Sequence, residues 1–149
     1  MSDENRLAGR LVESGHELLQ RVYFEDTDFS GRVYHARYLH FLERGRSDYL
    51  RLLGIGHRKL AAAGLAFAVR HMAIEFLQPA SIDDVLAIHT NPERIGGARI
   101  ALRQRIARGP ERLVEASVTV VLIGPNGRPA RLPEAIRQAF KMWPAIRGR

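Results

Sequence analysis

The sequence predicts an α+β domain in which one long amphipathic helix packs on an antiparallel sheet. Three observations predict it. Residues 34–53 carry apolar side chains at steps of four and three. After residue 65 the apolar period falls to two. The period-two runs are joined by short turns rich in Gly, Pro, Asn and Asp. Strands with short connections pair as antiparallel neighbours, and their apolar face needs a helix laid against it.

Residues 1–19 read as a loose extension or a frayed amphipathic helix, with Leu7, Leu11, Val12, Leu18 and Leu19 set among charges. Residues 21–24 form a short β-prone run, and the acidic, Ser- and Gly-containing stretch 25–32 reads as a loop. In the helix, Tyr38, Leu42, Gly45, Tyr49 and Leu52 make the apolar stripe, Phe41 and Leu53 widen it, and Gly54 and Gly56 end it. Gly45 costs about 1 kcal/mol relative to Ala in a helix interior. Its presence predicts a close approach between helix and sheet. Ala68, Met72, Ile74 and Phe76 begin the period-two region, and Pro79, Asp83 and Asp84 interrupt it. A strand follows at 85–90, with Asn91-Pro92 and Gly96-Gly97 framing the next turn. Residues 99–107 alternate Ile100, Leu102 and Ile106 against Arg99, Arg103 and Arg105, and 108–111 reads as a hairpin turn. Residues 113–123 form the longest strand candidate, ended by Pro125-Asn126-Gly127, and Pro133 opens a short helix over 135–142. About five strands thus surround one central helix, in a single domain over 1–149. One helix covers such a sheet incompletely, and the last strand is apolar on both faces, so a homo-oligomer is expected.

Composition narrows the function. The 149 residues are 46% apolar and 26% charged, which excludes a disordered or collagen-like chain. The absence of cysteine excludes disulfides, thiolate zinc sites, iron–sulfur clusters and a cysteine nucleophile. No apolar run is long enough to be an integral membrane segment, and the polar start Met1-Ser2-Asp3-Glu4-Asn5 does not read as a signal peptide, so a cytoplasmic protein is expected. The net charge of +7 is uneven: residues 1–93 carry 11 basic and 13 acidic side chains, residues 94–149 carry 12 and 3. All but Lys59 and Lys141 of the basic residues are arginine. That pattern fits either a phosphate-binding surface or a coding bias toward Arg and Ala. No nucleic-acid-binding motif accompanies it, so no nucleic acid is expected as a partner. His16, His40, His57 and His89 lack metal-ligand spacing, His71 reads as a strand residue, and no metal is expected.

The densest polar cluster is Glu25-Asp26-Thr27-Asp28-Phe29-Ser30-Gly31-Arg32-Val33-Tyr34-His35, immediately before the helix. A carboxylate-rich loop can be solvated surface or a helix cap. It can also be chemistry: Gly31 permits close backbone approach or an unusual dihedral, and His35 stands where free helix N–H groups can hold an oxyanion. An Asp, a His and a helix N-terminus together suit ester or thioester hydrolysis.

The run Arg21-Val-Tyr-Phe-Glu-Asp-Thr-Asp28, continued by Gly31-Arg-Val-Tyr-His35-Ala-Arg-Tyr38-Leu-His-Phe41-Leu-Glu43, resembles the hotdog-fold acyl-CoA thioesterases. It is most similar to the Tol-Pal-associated group within the 4-hydroxybenzoyl-CoA thioesterase-like superfamily. Phe67-Ala-Val-Arg70-His-Met-Ala-Ile-Glu75-Phe, Pro79-Ala and Asp83-Asp84 extend the resemblance, which covers residues 20–142. It implies a hotdog fold and hydrolysis of an acyl-CoA thioester, with short- to medium-chain or aromatic acyl groups. It implies Asp28 as nucleophile or general base and His35 as the carbonyl-polarising residue. Gly31 and Tyr34 are implied to shape the substrate loop, and Glu43 is implied as a supporting substrate-binding residue. It further implies no cofactor beyond the coenzyme A of the substrate, and assembly as a dimer of dimers. Arg99, Arg103 and Arg105 read as a solvated face or as contacts to coenzyme A phosphates. Phe29-Ser30 and Arg32 depart from the family pattern and alter the expected pocket wall. A non-hydrolytic acyl-thioester binder or a dehydratase-type hotdog domain is the alternative, although the dehydratase motif is not seen.

Overall fold

The computed structural model describes residues 6–142. Six strands form one antiparallel sheet: β1 (Arg10–Val12), β2 (Gly15–Arg21), β3 (Ala66–Phe76), β4 (Val85–Ile95), β5 (Arg99–Arg108) and β6 (Glu111–Ile123), in the order β1-β2-β4-β5-β6-β3. The helices named among the described residues are α1 (His35–Leu52), α2 (His57–Ala62) and α3 (Glu134–Met142). This is the expected hotdog arrangement, with six strands in place of about five. Among the described residues, no helix is long and apolar enough to cross a membrane.

The centre of the molecule is the contact of α1 with the sheet. Phe41, Leu42 and Tyr49 are buried against a core that includes Leu86, Ile88, Ile100, Ile106 and Leu122. Gly45 lies at the closest approach. A Cβ placed there would stand 2.8 Å from Ile88 Cγ2 and 3.1 Å from Thr90 Oγ1, so only a hydrogen fits. Buried Gln104 completes this contact. Its amide donates to Leu42 O and Thr90 Oγ1, both at 2.9 Å, and its Oε1 accepts from Arg46 Nη1 at 3.0 Å. Every polar atom of the Gln104 amide thus ties helix to sheet, which is how a buried amide avoids an unsatisfied penalty.

The N-terminal region differs from expectation. Residues 10–12 and 15–21 are strands, not a loose extension, and the β-prone run at 21–24 instead ends β2 and enters a 3-10 turn, Phe24–Asp26. Pairing of β2 with β4, from His16↔Thr90 to Arg21↔Val85, supplies the backbone partners that decide the matter. Asn91-Pro92 is not a turn either. β4 runs through it with a bulge between Pro92 and Arg94, where a residue lacking N–H is tolerated. Among the described residues β3 stands at one edge of the sheet, paired with β6, with Val69 and Phe76 about half exposed.

Candidate active site

The acidic loop divides into an inner and an outer half. Asp26 belongs to the inner half and is 1% exposed. Its Oδ2 accepts from Tyr23 N–H at 2.9 Å across the 3-10 turn, and its Oδ1 faces Arg37 Nε at 3.4 Å. Arg37 in turn donates to Tyr34 Oη at 2.8 Å and lies over the Tyr34 ring. Asp26 therefore holds the loop onto the helix.

Two residues later the chain makes a tight turn. Gly31 N–H donates to Asp28 O at 3.0 Å, and Asp28 N–H donates to Arg32 O at 2.9 Å. Gly31 has φ +80°, and a Cβ there would meet nothing within 4 Å. It is needed for the left-handed dihedral of a turn followed by a bulge, not for close approach. Asp28 opens this turn, and its Oδ1 accepts from Ser30 N–H at 2.9 Å and Ser30 Oγ at 2.5 Å. The Ser30 hydroxyl and amide hold the Asp28 carboxyl below its ordinary range, and Arg32 adds to this. Asp28 is exposed and anionic at neutral pH, and no hydrogen bond from the described residues engages its Oδ2.

The start of α1 is anchored beside this turn. Val33 is buried and its N–H donates to Ala80 O at 2.9 Å. Tyr34 is the N-cap residue in extended conformation, without a side-chain cap bond. Arg37 N–H donates to Tyr34 O at 2.9 Å, which leaves the amides of His35 and Ala36 ahead of the first intrahelical acceptor, at the positive end of the helix dipole. The His35 ring meets Phe76 edge-on at 6.0 Å between centroids, and Phe76 also packs on Tyr38 at 5.7 Å. Tyr38 Oη accepts from Ala80 N–H at 2.9 Å.

Asp28, Tyr34 and His35 line one open groove of about 560 Å³, together with Ser30, Arg32 and Phe76. Gly31 shapes the turn from behind, while Phe29 projects wholly into solvent and does not line the groove. Ser30 and Arg32 do line it, so two of the three departures from the family pattern alter its wall. Glu43 lies elsewhere. It borders a separate cavity and accepts from Ser47 Oγ, which also contacts His57 Nε2 at 2.9 Å. Arg103 and Arg105 border a polar depression with Arg112 and Glu115, apart from the groove. Sequence reasoning named Ser30 only as a departure in the pocket wall and missed its bonds to Asp28, and it gave Phe76 and Tyr38 no place at the site. The D-x-S spacing could have signalled the Ser30 contact, but nothing local connects Phe76 to His35, 41 residues earlier in the chain.

A six-stranded antiparallel sheet holding a central helix, with a carboxylate turn at that helix's N-terminus, defines a hotdog-fold protein. The profile of the Thioesterase-like superfamily matches residues 22–140, and the chain belongs to that family. It is 39% identical over 132 residues to the acyl-CoA thioesterase YbgC of Haemophilus influenzae, covering 87% of this chain and 97% of that one. It is 42% identical over 123 residues to the acyl-CoA thioester hydrolase YbgC of Escherichia coli O6:H1, covering 81% and 92%. A crystal structure of a probable thioesterase from Bartonella henselae superposes with a TM-score of 0.76 at 50% identity, covering 79% of this chain and 98% of that one.

Proposed function

We propose that this protein is an acyl-CoA thioesterase that hydrolyses short- to medium-chain or aromatic acyl-CoA to free acid and coenzyme A, with Asp28 and His35 as its catalytic residues. The observation that carries the reading is the shared groove: the exposed Asp28 carboxylate and the N-terminus of α1 at His35 face one space. The YbgC relatives, similar over more than four fifths of the chain, support the same reaction class.

The chemistry follows from the groups present. The thioester carbonyl oxygen lies at the amides opening α1, which stabilise negative charge as it develops. Asp28, held anionic by Ser30, either attacks the carbonyl carbon through Oδ2 or removes a proton from the attacking water. In the first case a mixed anhydride forms, and water then cleaves it. In both, the C–S bond breaks and the thiolate of coenzyme A departs and takes up a proton. The His35 ring, fixed edge-on against Phe76, stands ready to orient the acyl group or pass that proton. Tyr34 borders the groove, Gly31 sets the turn, and Arg32 brings positive charge to the rim for an anionic substrate.

The reading includes no cofactor beyond the substrate's own coenzyme A, no nucleic-acid partner and a cytoplasmic setting. It also includes assembly as a homo-oligomer, a dimer of dimers. The edge of β3, eleven residues long, without a second strand partner among the described residues and with Val69 and Phe76 exposed, supports association with a second copy. The test is thiol release from a panel running from acetyl- to palmitoyl-CoA and including benzoyl-, 4-hydroxybenzoyl- and phenylacetyl-CoA. Wild type turns over part of the panel and Asp28→Ala does not. Silence of folded wild type across the panel contradicts the reading and favours a non-hydrolytic acyl binder.

A further inference from the structure

The uneven charge of the chain has a place in the fold. β5 and β6 both lie in its basic half. On β5, Ile100, Leu102, Gln104 and Ile106 take the buried face, so Arg103 and Arg105 stand on the sheet face that turns away from α1. There they border a depression of about 170 Å³ together with Asn91, Gln104, Arg112 and Glu115. It shares no lining residue with the Asp28 groove. Glu115 is its one carboxylate, and Arg112 Nη1 donates to it at 2.7 Å. The Gln104 amide is already engaged in the helix contact. The cross-strand row at Arg103 reads Asn91, Arg103, Ser117 and Ala73, without a carboxylate. The row at Arg105 reads Glu17, His89, Arg105, Glu115 and Glu75. Two of its three acids are held by other arginines, Glu17 by Arg10 at 3.0 Å and Glu115 by Arg112. Among the described residues, neither Arg103 nor Arg105 has an ion-pair partner.

Three guanidiniums against one carboxylate leave an excess of two positive charges around one concave space. A neighbour feels that excess. The pKa of half-buried His89, opposite Arg105, is lowered below the ordinary 6.5 by burial first and then by Arg105, with Arg10 and His16 acting the same way. Glu17, 3.6 Å away, opposes them without prevailing. A charge of that sign and size, presented as planar forks, matches a dianion with several oxygens. A carboxylate brings a single charge and would leave part of the excess uncompensated. The size agrees: a cavity of about 150 Å³ takes a benzene ring, so this space admits a phosphate group and excludes a whole nucleotide. We propose that the depression is a binding site for a phosphate group held by Arg103, Arg105 and Arg112, either as free phosphate or as the terminal phosphomonoester of a larger ligand whose remainder stays outside. The site lies across the sheet from α1, and its occupancy does not rest on the thioesterase reading.

The test is a titration of the full-length protein with sodium phosphate, followed by amide NMR shifts. It is run at about pH 7.5, where phosphate is mostly dianionic, and at a constant ionic strength of about 0.15 M, where attraction to exposed charge alone is largely screened. Acetate is the monoanionic control, and AMP and adenosine separate the two sources. Saturable shifts at Arg103, Arg105, Arg112 and Ser117 are expected with phosphate, and binding of acetate at least about tenfold weaker. AMP that binds no better than phosphate assigns the site to the free anion. AMP that binds better, with adenosine silent, assigns it to the phosphomonoester. Arg103→Gln and Arg105→Gln should each weaken phosphate binding about tenfold. Arg99→Gln, which removes the same charge from the start of the same strand, should leave the affinity unchanged. Bound phosphate should also raise the His89 pKa, read from its imidazole resonances, by offsetting Arg105. The proposal is overturned if phosphate does not saturate, if acetate or adenosine binds as tightly, if Arg99→Gln weakens binding as much as Arg105→Gln, if both site variants keep full affinity, or if the His89 midpoint is unmoved at saturation.

Discussion

The start of α1 and its middle are built to opposite specifications. At the middle, Gly45 sits so close to Ile88 and Thr90 that no side chain fits, and Gln104 has every polar atom of its amide engaged. At the start, the turn at Asp28 is solvent-exposed, Gly31 has open space around it, and the N-cap lacks a side-chain bond. The middle holds the fold; the start leaves a carboxylate and a set of amides free. The proposed function thus assigns stability and chemistry to separate parts of a single helix, and substitutions should show it.

The largest effect on stability is expected at the tight end. Gly45→Val forces a branched side chain into the space held by Ile88 and Thr90, and overpacking of this kind costs typically about 1–3 kcal/mol. Thermal and urea denaturation should show the loss. A variant as stable as wild type would break the comparison. Next comes Asp26→Ala, which removes the acceptor of Tyr23 N–H and the partner of Arg37, for about 1–3 kcal/mol. Its melting temperature should fall while the folded enzyme keeps most of its turnover.

A smaller effect sharpens the exposed end. Ser30→Ala removes one of the two hydrogen bonds that lower the Asp28 pKa, so that pKa rises toward its ordinary value. The acid limb of the kcat/KM profile should move to higher pH, with no comparable change in melting temperature. An unmoved limb would mean that Asp28 does not set it.

The smallest effect concerns pH and stability. His16 is fully buried, stacked on Tyr49, with Nε2 bonded to Ala8 O at 2.7 Å. Burial lowers its pKa below the ordinary 6.5, against weaker opposing contributions from Ala8 O, Asp48 and Glu17. The unfolded chain therefore takes up the proton first as pH falls. This contribution to stability is present above about 6.5 and is lost as pH drops toward the folded pKa. His89, lowered by burial and by Arg105, acts in the same direction. Urea denaturation at about pH 7.5 and about pH 5.5 should show lower stability at the acid pH, and His16→Gln should reduce that difference. Equal stability at both pH values would remove the buried-neutral histidine from the account.

Much of this was legible in the sequence, for physical reasons that can be located. The steps of four and three through Tyr38, Leu42, Gly45 and Tyr49 mark the buried face of α1, because helix geometry admits no other side for them. Gly45 declares close packing because its helical cost must be offset by something. β2 was hidden, since His16 through Gln20 alternate poorly and become a strand through pairing with β4. Pro92 reads as a break until a bulge accommodates it. Asp26 and Asp28 are nearly indistinguishable as letters; only the turn geometry sends one carboxylate inward to Arg37 and the other outward. Glu43, Arg46, Ser47 and His57 share no legible motif, because their cavity exists only once α1, α2 and the sheet are packed together.

The most direct test is to measure kcat for thiol release and melting temperature on Asp28→Ala and Asp26→Ala side by side. The account predicts a loss of roughly 10²–10⁴-fold in kcat for Asp28→Ala at an unchanged melting temperature. It predicts the reverse pattern for Asp26→Ala. A folded Asp28→Ala enzyme that retains most of the wild-type kcat would contradict the assignment of the chemistry to the exposed end of the loop.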